Sequence, residues 1–175
     1  MMHLVTGGSG SGKSDYAERL VLDLGERRRI YIATMIPYGE EGKARVRRHR
    51  AMRSKKQFET VECYTNLAQL LIPPDCSVLL ECVSNVTANE MYDPSGAGAA
   101  GTVAAVVDGI RSLHRQAENL IVVTNEIFSD GIPYDASTMQ YMEYLGEINQ
   151  QLAREADFVT EVVYGIPLPV KGTPR

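Results

Sequence analysis

The chain has 175 residues, of which 44% are hydrophobic and 23% charged. This composition excludes disordered and fibrous classes and predicts one domain spanning residues 1–175. The formal net charge is -4, yet 8 of the 18 basic residues fall between positions 43 and 56, which predicts a local polyanion site rather than a general nucleic-acid binder.

The predicted elements alternate between strands and helices. Strands are predicted at residues 4–6, 29–34, 58–63, 77–83, 120–124 and 158–164, and helices at 14–24, 39–56, 66–71, 85–91, 99–116 and 138–155. A turn is predicted at 165–167. This alternation predicts an α/β protein, a P-loop NTPase-like three-layer sandwich with a mainly parallel sheet.

A glycine-rich loop follows the first strand and opens the first helix. Its spacing is that of a phosphate-binding loop, in which backbone N–H groups and the helix N-terminus surround phosphate oxygens. A plain strand-to-helix connection is the alternative. Lys13 is predicted to reach the outer phosphates of ATP or GTP and Ser14 to hold Mg²⁺. The predicted nucleotide-binding residues here are Gly7, Gly8, Ser9, Gly10, Ser11, Gly12, Lys13 and Ser14.

A second metal-positioning group is expected at the end of a neighbouring buried strand. Glu81 follows the apolar run Val78-Leu79-Leu80 and is our candidate for Mg²⁺ and nucleotide binding. The alternative is a structural carboxylate paired with a helix end.

The basic segment contains one histidine. In a helix, Arg45, His49 and Arg53 would share one face, and nearby cations would keep the imidazole neutral and nucleophilic. A histidine that attacks the α-phosphorus of a nucleotide forms a covalent nucleotidyl-enzyme. The alternatives are a solvated basic helix or an RNA- or DNA-binding surface, although the segment lacks interleaved aromatic residues.

No apolar run reaches the length that crosses a bilayer, and the first residues lack a signal peptide's apolar core. We therefore expect a cytoplasmic protein without a membrane span. The three cysteines form no C-x-x-C pair, which predicts reduced thiols rather than disulfides or a zinc site.

The chain resembles the bifunctional adenosylcobinamide kinase/adenosylcobinamide-phosphate guanylyltransferases of cobalamin synthesis. The shared motifs run nearly end to end: L-V-T-G-G-x-x-S-G-K-S at 4–14, Y-I-A-T at 31–34, R-V-x-x-H-R-x-x-R at 45–53, T-V-E-C at 60–63, L-L-E-C at 79–82, V-T-N-E at 123–126, G-I-P at 131–133, N-Q at 149–150, A-D at 156–157 and V-V-x-G-I-P at 162–167.

The resemblance implies that His49 becomes guanylylated. It also implies that Thr34, Arg50, Arg53 and Glu62 lie around the guanine nucleotide. The two implied reactions are phosphorylation of adenosylcobinamide by a nucleoside triphosphate and transfer of GMP from GTP to the resulting phosphate, in a homotrimer that does not bind nucleic acid. A monofunctional guanylyltransferase, a small-molecule kinase and a P-loop nucleic-acid-binding regulator are the alternative functions.

The chain departs from the family pattern after residue 126. The family usually continues G-x-G-I-V-P and then carries R-x-x-R-D-x-x-G-x-x-N on the next helix. Here Met139, Met142 and Glu143 replace the two arginines and the aspartate. This departure bears on the kinase reaction and on substrate preference.

Overall fold

The computed structural model describes residues 1–37, 39–40 and 56–172. Seven strands form one sheet in the order β3-β2-β4-β5-β1-β6-β7, and all neighbouring pairs are parallel except β6 and β7. The strands are β1 (Met2–Thr6), β2 (Arg28–Ala33), β3 (Phe58–Glu62), β4 (Cys76–Glu81), β5 (Asn119–Val123), β6 (Phe158–Val163) and β7 (Ile166–Lys171).

Helices cover both faces of this sheet. The described α-helices are α1 (Lys13–Asp23), α2 (Val83–Tyr92), α3 (Thr102–Gln116) and α4 (Ala136–Glu155), with short 3₁₀ turns at Leu67–Gln69 and Ala99–Gly101. Helix α1 packs on one face, whereas α2, α3 and α4 pack on the other. The predicted α/β class, with a mainly parallel sheet in a P-loop-like fold, is confirmed.

The central strands β1, β4 and β5 are largely apolar because they are buried on both faces. In β5, Leu120 and Val122 join the core under α2, α3 and α4, while Ile121 and Val123 join the core under α1. The carboxyl ends of the parallel strands meet at one edge, where ligands bind in open α/β sheets. A ligand-binding site is therefore expected among the residues that follow these strands.

The predicted turn at residues 165–167 is only partly correct. The chain turns at Tyr164 and Gly165, but Ile166 already begins β7, which pairs antiparallel with β6. The prediction treated proline as a turn signal. A proline has no N–H to donate to a neighbouring strand. An edge strand has a neighbour on one side only, so it tolerates the missing donor, and Pro167 and Pro169 fit this position.

Several predicted boundaries also shift. The strand predicted to reach residue 83 ends at Glu81, and α2 begins at Val83. Helix α4 begins at Ala136, two residues early, because the Asp135 carboxylate caps its first N–H groups. The helix predicted at 66–71 is only a 3₁₀ turn, and that predicted from residue 99 begins with another.

Candidate active site

The glycine-rich loop joins β1 to α1 at the carboxyl edge of the sheet. The Gly8 carbonyl accepts hydrogen bonds from Ser11 N at 3.2 Å and from Lys13 Nζ at 3.0 Å. Lys13 is buried although it is charged, and it is the first residue of α1. The loop therefore brings an ammonium group and a helix N-terminus together, a combination that binds phosphate.

Two glycines of this loop are required by its close packing. A Cβ atom on Gly7 would lie 2.5 Å from the Val162 carbonyl oxygen and 2.6 Å from Ser11 Oγ. Gly12 has φ +89°, and a Cβ there would lie 3.3 Å from Gly165 Cα. Gly165 N in turn donates to Ser11 O at 2.8 Å, so the turn between β6 and β7 packs against the loop and is hydrogen-bonded to it.

Ser11 supplies an additional polar atom in this loop. Its Oγ is buried and has no hydrogen-bond partner among the described residues. Buried hydroxyls are normally bonded. A phosphate oxygen in the loop would give Ser11 Oγ a partner, and this fits the loop to a nucleotide.

Ser14 and Glu81 meet beside the loop. Ser14 Oγ donates a hydrogen bond to Glu81 Oε1, and Tyr31 Oη donates to Glu81 Oε2 at 2.7 Å. A hydroxyl and a carboxylate oxygen are the hard ligands that Mg²⁺ uses together with water and phosphate oxygens. The donor set at this point therefore fits Mg²⁺.

The position of Glu81 differs from the expectation in one respect. Its strand, β4, is not adjacent to β1, because β5 lies between them. The two side chains still meet because α1, which carries Ser14, packs across both β5 and β4.

In the part of the chain that the structure describes, no group of three or more His, Cys, Asp or Glu side chains forms a metal site.

Thr34 lies next to Glu81 and is fully buried. Its hydroxyl donates to Glu81 O at 2.8 Å and accepts from Cys82 N at 2.7 Å, and its own carbonyl accepts from Asn89 Nδ2 at 2.8 Å. Thr34 therefore holds the backbone that carries the Glu81 carboxylate.

Glu62 ends β3 at the same edge. Its register partner on β2 is Ala33, which also pairs with Glu81 on the other side. Tyr64 Oη donates to Glu62 Oε2 at 3.1 Å, and the glutamate is exposed. The structure thus brings Thr34, Glu62 and Glu81 to one edge, although Glu62 and Glu81 lie on opposite sides of β2.

A polar cluster that our sequence analysis did not assign lies at the ends of β4 and β5. Asn125 Nδ2 donates to Ser84 Oγ at 2.5 Å, and Ser84 Oγ lies 3.0 Å from Cys82 Sγ. Tyr141 Oη of α4 donates to the Ser84 carbonyl at 3.2 Å. The available sequence signal was the presence of polar residues shortly after two buried strands, Ser84 and Asn85 after β4 and the T-N-E motif after β5.

Burial keeps the titratable members of this cluster neutral. It raises the pKa of the Cys82 thiol and raises the pKa of Tyr141 to about 12. Both groups are therefore protonated at neutral pH and act as hydrogen-bonding groups rather than as anions. The cluster ties α4 to the ends of β4 and β5, beside the phosphate loop.

A cleft of about 490 Å³ opens next to this cluster. It lies between the segment that follows β5 and the first turns of α4. Glu126 lines it and also contacts the loop, because Glu126 N donates to Gly7 O at 3.1 Å. One end of the cleft therefore lies beside the start of the phosphate loop.

Several predicted site residues lie outside the described part of the chain. His49, Arg50 and Arg53 are among them, as is Arg45. Of the predicted helix at 39–56, residues 39 and 40 are helical and Lys56 is in a turn, where its ammonium pairs with Glu18. The other histidines lack a comparable basic setting: His3 is buried against Thr160, and His114 lies in the last turn of α3.

Comparison with solved structures identifies similar folds. The flagellar accessory protein FlaH from Methanocaldococcus jannaschii matches with a TM-score of 0.50 and 10% identity, over 97% of this chain and 77% of that one. A protein from Pyrococcus horikoshii matches with a TM-score of 0.52 and 10% identity, over 99% and 87% of the two chains. At these identities the likeness concerns the fold alone.

Sequence comparison gives much nearer relatives. The bifunctional adenosylcobalamin biosynthesis protein CobU of Salmonella typhimurium and that of Escherichia coli are each 34% identical, over 98% of this chain and all of theirs. The bifunctional protein CobP of Pseudomonas aeruginosa is 28% identical over 99% of both chains. The model of the cobinamide kinase / cobinamide phosphate guanyltransferase family matches residues 3–170. The chain therefore belongs to this family.

Proposed function

We propose that this enzyme phosphorylates adenosylcobinamide with ATP or GTP and then transfers GMP from GTP to adenosylcobinamide phosphate, giving adenosylcobinamide-GDP. The observation that carries the proposal is the phosphate loop with Lys13 beside the Ser14–Glu81 pair, in a chain whose family match covers residues 3–170. The relatives at 34% identity, which carry the name bifunctional, support both reactions.

In the kinase reaction, the loop and Lys13 hold the outer phosphates of the nucleotide. The hydroxyl of cobinamide, which is the phosphoryl acceptor, attacks the γ-phosphorus and a new O–P bond forms. The bond between the γ-phosphorus and the β-phosphate oxygen breaks, the nucleoside diphosphate leaves, and the hydroxyl proton passes to solvent. Ser14 and Glu81 would hold Mg²⁺. The ion would neutralise charge on the phosphate oxygens when bound.

In the guanylyl transfer, His49 is the nucleophile. An imidazole nitrogen attacks the α-phosphorus of GTP, an N–P bond forms, and pyrophosphate leaves. An oxygen of adenosylcobinamide phosphate then attacks the same phosphorus, which releases the histidine and forms the diphosphate. Arg50 and Arg53 would stabilise the phosphate charge, and Thr34 and Glu62 would lie around the nucleotide.

The covalent intermediate can be tested by labelling. GTP carrying ³²P at the α-position should leave an acid-labile, alkali-stable label on the protein, as expected for a phosphoramidate. Mass spectrometry should find one added GMP at His49. A His49→Ala variant should take up no label, whereas His114→Ala, which removes a histidine on α3, should label normally. Label on His49→Ala would overturn the intermediate.

The two reactions can be separated in assays. Phosphorylation of adenosylcobinamide and GMP transfer to adenosylcobinamide phosphate are measured independently, and Lys13→Ala should abolish phosphorylation. If the wild-type enzyme catalyses only one of the two reactions, the result would favour a monofunctional guanylyltransferase or a kinase. Steeply salt-dependent RNA or DNA binding would favour the regulator instead, since phosphate contacts release counterions.

We further propose that residues 1–175 act as one catalytic domain in a cytoplasmic homotrimer. The free thiols of Cys63, Cys76 and Cys82 fit a reducing compartment, and no helix in the described ranges is long and apolar enough to cross a membrane. An apolar row on β7, formed by Ile166, Leu168 and Val170, is exposed in the single chain and offers a contact surface. Sedimentation should give the mass of three chains of 19.3 kDa.

A further inference from the structure

We propose that the 490 Å³ cleft between the segment after β5 and α4 binds the corrinoid acceptor and presents its hydroxyl to the phosphate loop. The proposal rests on the kinase reaction proposed above and adds the place where the second substrate binds. The volume lies within the range of small-molecule sites, about 300–1,000 Å³. It accommodates the hydroxyl-bearing arm and one edge of a corrin ring.

The position of the cleft supports this assignment. Its first lining residue, Glu126, follows β5, which is the direct neighbour of β1 in the sheet. The hydrogen bond from Glu126 N to Gly7 O fixes this end of the cleft to the start of the phosphate loop. A ligand bound at this end of the cleft would therefore lie beside the start of the phosphate loop.

Two carboxylates order the segment that forms one wall of the cleft. Glu126 Oε1 accepts from Phe128 N at 2.9 Å and from Ser129 Oγ at 2.8 Å. Asp130 accepts from Ile132 N at 3.1 Å and from Tyr134 Oη at 2.6 Å. These bonds give the segment a defined shape although it contains no helix or strand.

The charge of the lining distinguishes between possible ligands. Two carboxylates line the cleft, and none of its described lining residues is a lysine or arginine. A second nucleotide or a free phosphate would be repelled there. A corrinoid offers amide N–H donors to the carboxylates and carries no phosphate before the first reaction, so it fits this charge pattern.

Exposed apolar side chains are concentrated in the segment that lines the cleft and at the start of α4. Phe128, Ile132, Tyr134 and Met139 are between 39% and 55% exposed and lie within twelve residues of one another in the sequence. Such a concentration on a protein surface marks a binding site. A corrin ring presents a broad, largely apolar face that would cover these side chains, while its arm enters the cleft.

The test is a pair of tryptophan substitutions on α4. Met142 lines the cleft, whereas Gln140 is exposed and points about 160° away on the helix at 100° per residue. Met142→Trp should fill the cleft and weaken cobinamide binding at least tenfold in equilibrium dialysis, with the corrin absorbance as the readout. Gln140→Trp should bind cobinamide like the wild type.

Two further readouts separate this proposal from the proposed function. In Met142→Trp the KM for cobinamide should rise about tenfold, while uptake of the GMP label from GTP stays unchanged. Unchanged cobinamide affinity in a folded Met142→Trp variant would overturn the cleft assignment. A wild-type enzyme that neither binds nor phosphorylates cobinamide would instead overturn the function itself.

If Met142→Trp does not fold, as judged by thermal unfolding, Met142→Ala decides: it should lower cobinamide affinity several-fold by removing an apolar contact, and an unchanged affinity overturns the proposal. A change of sedimenting mass in either folded variant with unchanged cobinamide affinity would show that the cleft receives a second copy of the chain, which also overturns it.

Discussion

Ser14 and Glu81 are 67 positions apart in the sequence, and the Ser14 hydroxyl donates its hydrogen bond directly to the Glu81 carboxylate. Helix α1 crosses β5 to make this contact, so the pair joins the phosphate loop to a strand that is not its neighbour. Tyr31 Oη holds the other carboxylate oxygen at 2.7 Å. The carboxylate is therefore fixed from two sides.

Removal of the Glu81 charge should change the Mg²⁺ dependence of turnover. In Glu81→Gln we expect phosphoryl transfer at about 1 mM Mg²⁺ to fall roughly 100-fold and to recover partly at higher Mg²⁺, because an amide oxygen attracts the ion less than a carboxylate. The measurement is the rate as a function of Mg²⁺ concentration. Glu59→Gln, which changes an exposed carboxylate on β3, serves as the control.

An unchanged Mg²⁺ dependence in Glu81→Gln would contradict this role and leave Glu81 as a structural partner of Ser14 and Tyr31. Thermal unfolding of the same variant shows whether the lost hydrogen bonds alone explain a lower rate.

Two adjacent glycines of the loop should respond very differently to alanine. Gly7→Ala places a methyl group 2.5 Å from the Val162 carbonyl oxygen, whereas the corresponding position on Gly8 has no atom within 4 Å. We expect Gly7→Ala to lower the free energy of unfolding by about 1–3 kcal/mol and Gly8→Ala to change it by no more than about 0.5 kcal/mol. Urea unfolding gives both values, and equal stabilities would refute the close approach at Gly7.

His3 should make stability depend on pH. Burial lowers the pKa of His3 to about 4 from 6.5, so the unfolded chain binds the proton more readily than the folded one. The stability from this group is complete above pH 6.5 and is lost as the pH falls from 6.5 towards 4, by roughly 2 kcal/mol. Denaturant unfolding from pH 7.5 to pH 4.5 measures the loss.

The matched variant is His3→Gln, which can still bond to Thr160 but does not titrate. Its free energy of unfolding should fall less steeply over the same pH range. Parallel curves for the two proteins would mean that folding does not change the pKa of His3, which would contradict the prediction.

The buried carboxylate of Glu90 should be important for stability. Glu90 is fully buried, and its two oxygens accept hydrogen bonds from Asn66 N at 2.6 Å and from Ala97 N at 2.9 Å. Glu90→Ala leaves both N–H groups without these acceptors and should cost about 3 kcal/mol of the free energy of unfolding, at about 1–3 kcal/mol for each unsatisfied group. Glu143→Ala, at an exposed position on α4, should cost less than about 0.5 kcal/mol.

A loss smaller than about 1 kcal/mol in Glu90→Ala would mean that water replaces the carboxylate at these two N–H groups. Hydrogen exchange at Asn66 and Ala97 would then be faster in the variant than in the wild type.

Much of the fold could be predicted because its signals are local. The apolar runs of β1, β4 and β5 reflect burial on both faces, and α1 shows its buried residues Ala17 and Val21 four positions apart. The prediction of β7 failed for a local reason as well. Pro167 reads as a turn residue unless the position of the strand at the edge of the sheet is already known.

The site was predictable only in part. Lys13 and Ser14 follow from the spacing of the loop, and Glu81 from its place after a buried strand. The cluster of Asn125, Ser84 and Tyr141 was missed because its members come from three elements and have no fixed spacing. The Tyr141 hydroxyl and the Ser84 carbonyl are 57 residues apart and meet only once the helices have packed.

The sequence by itself determined the phosphate loop and the family of this protein, because contiguous residues carry both. The glycines, Lys13 and Ser14 lie in one short segment of the chain, and each family motif is a short run of neighbouring residues. Only the tertiary structure decided that β5 separates β1 from β4, that α1 nevertheless carries Ser14 to Glu81, and that a cleft lies beside Glu126. Strand order and clefts depend on packing between distant segments, which the local pattern of residues does not encode.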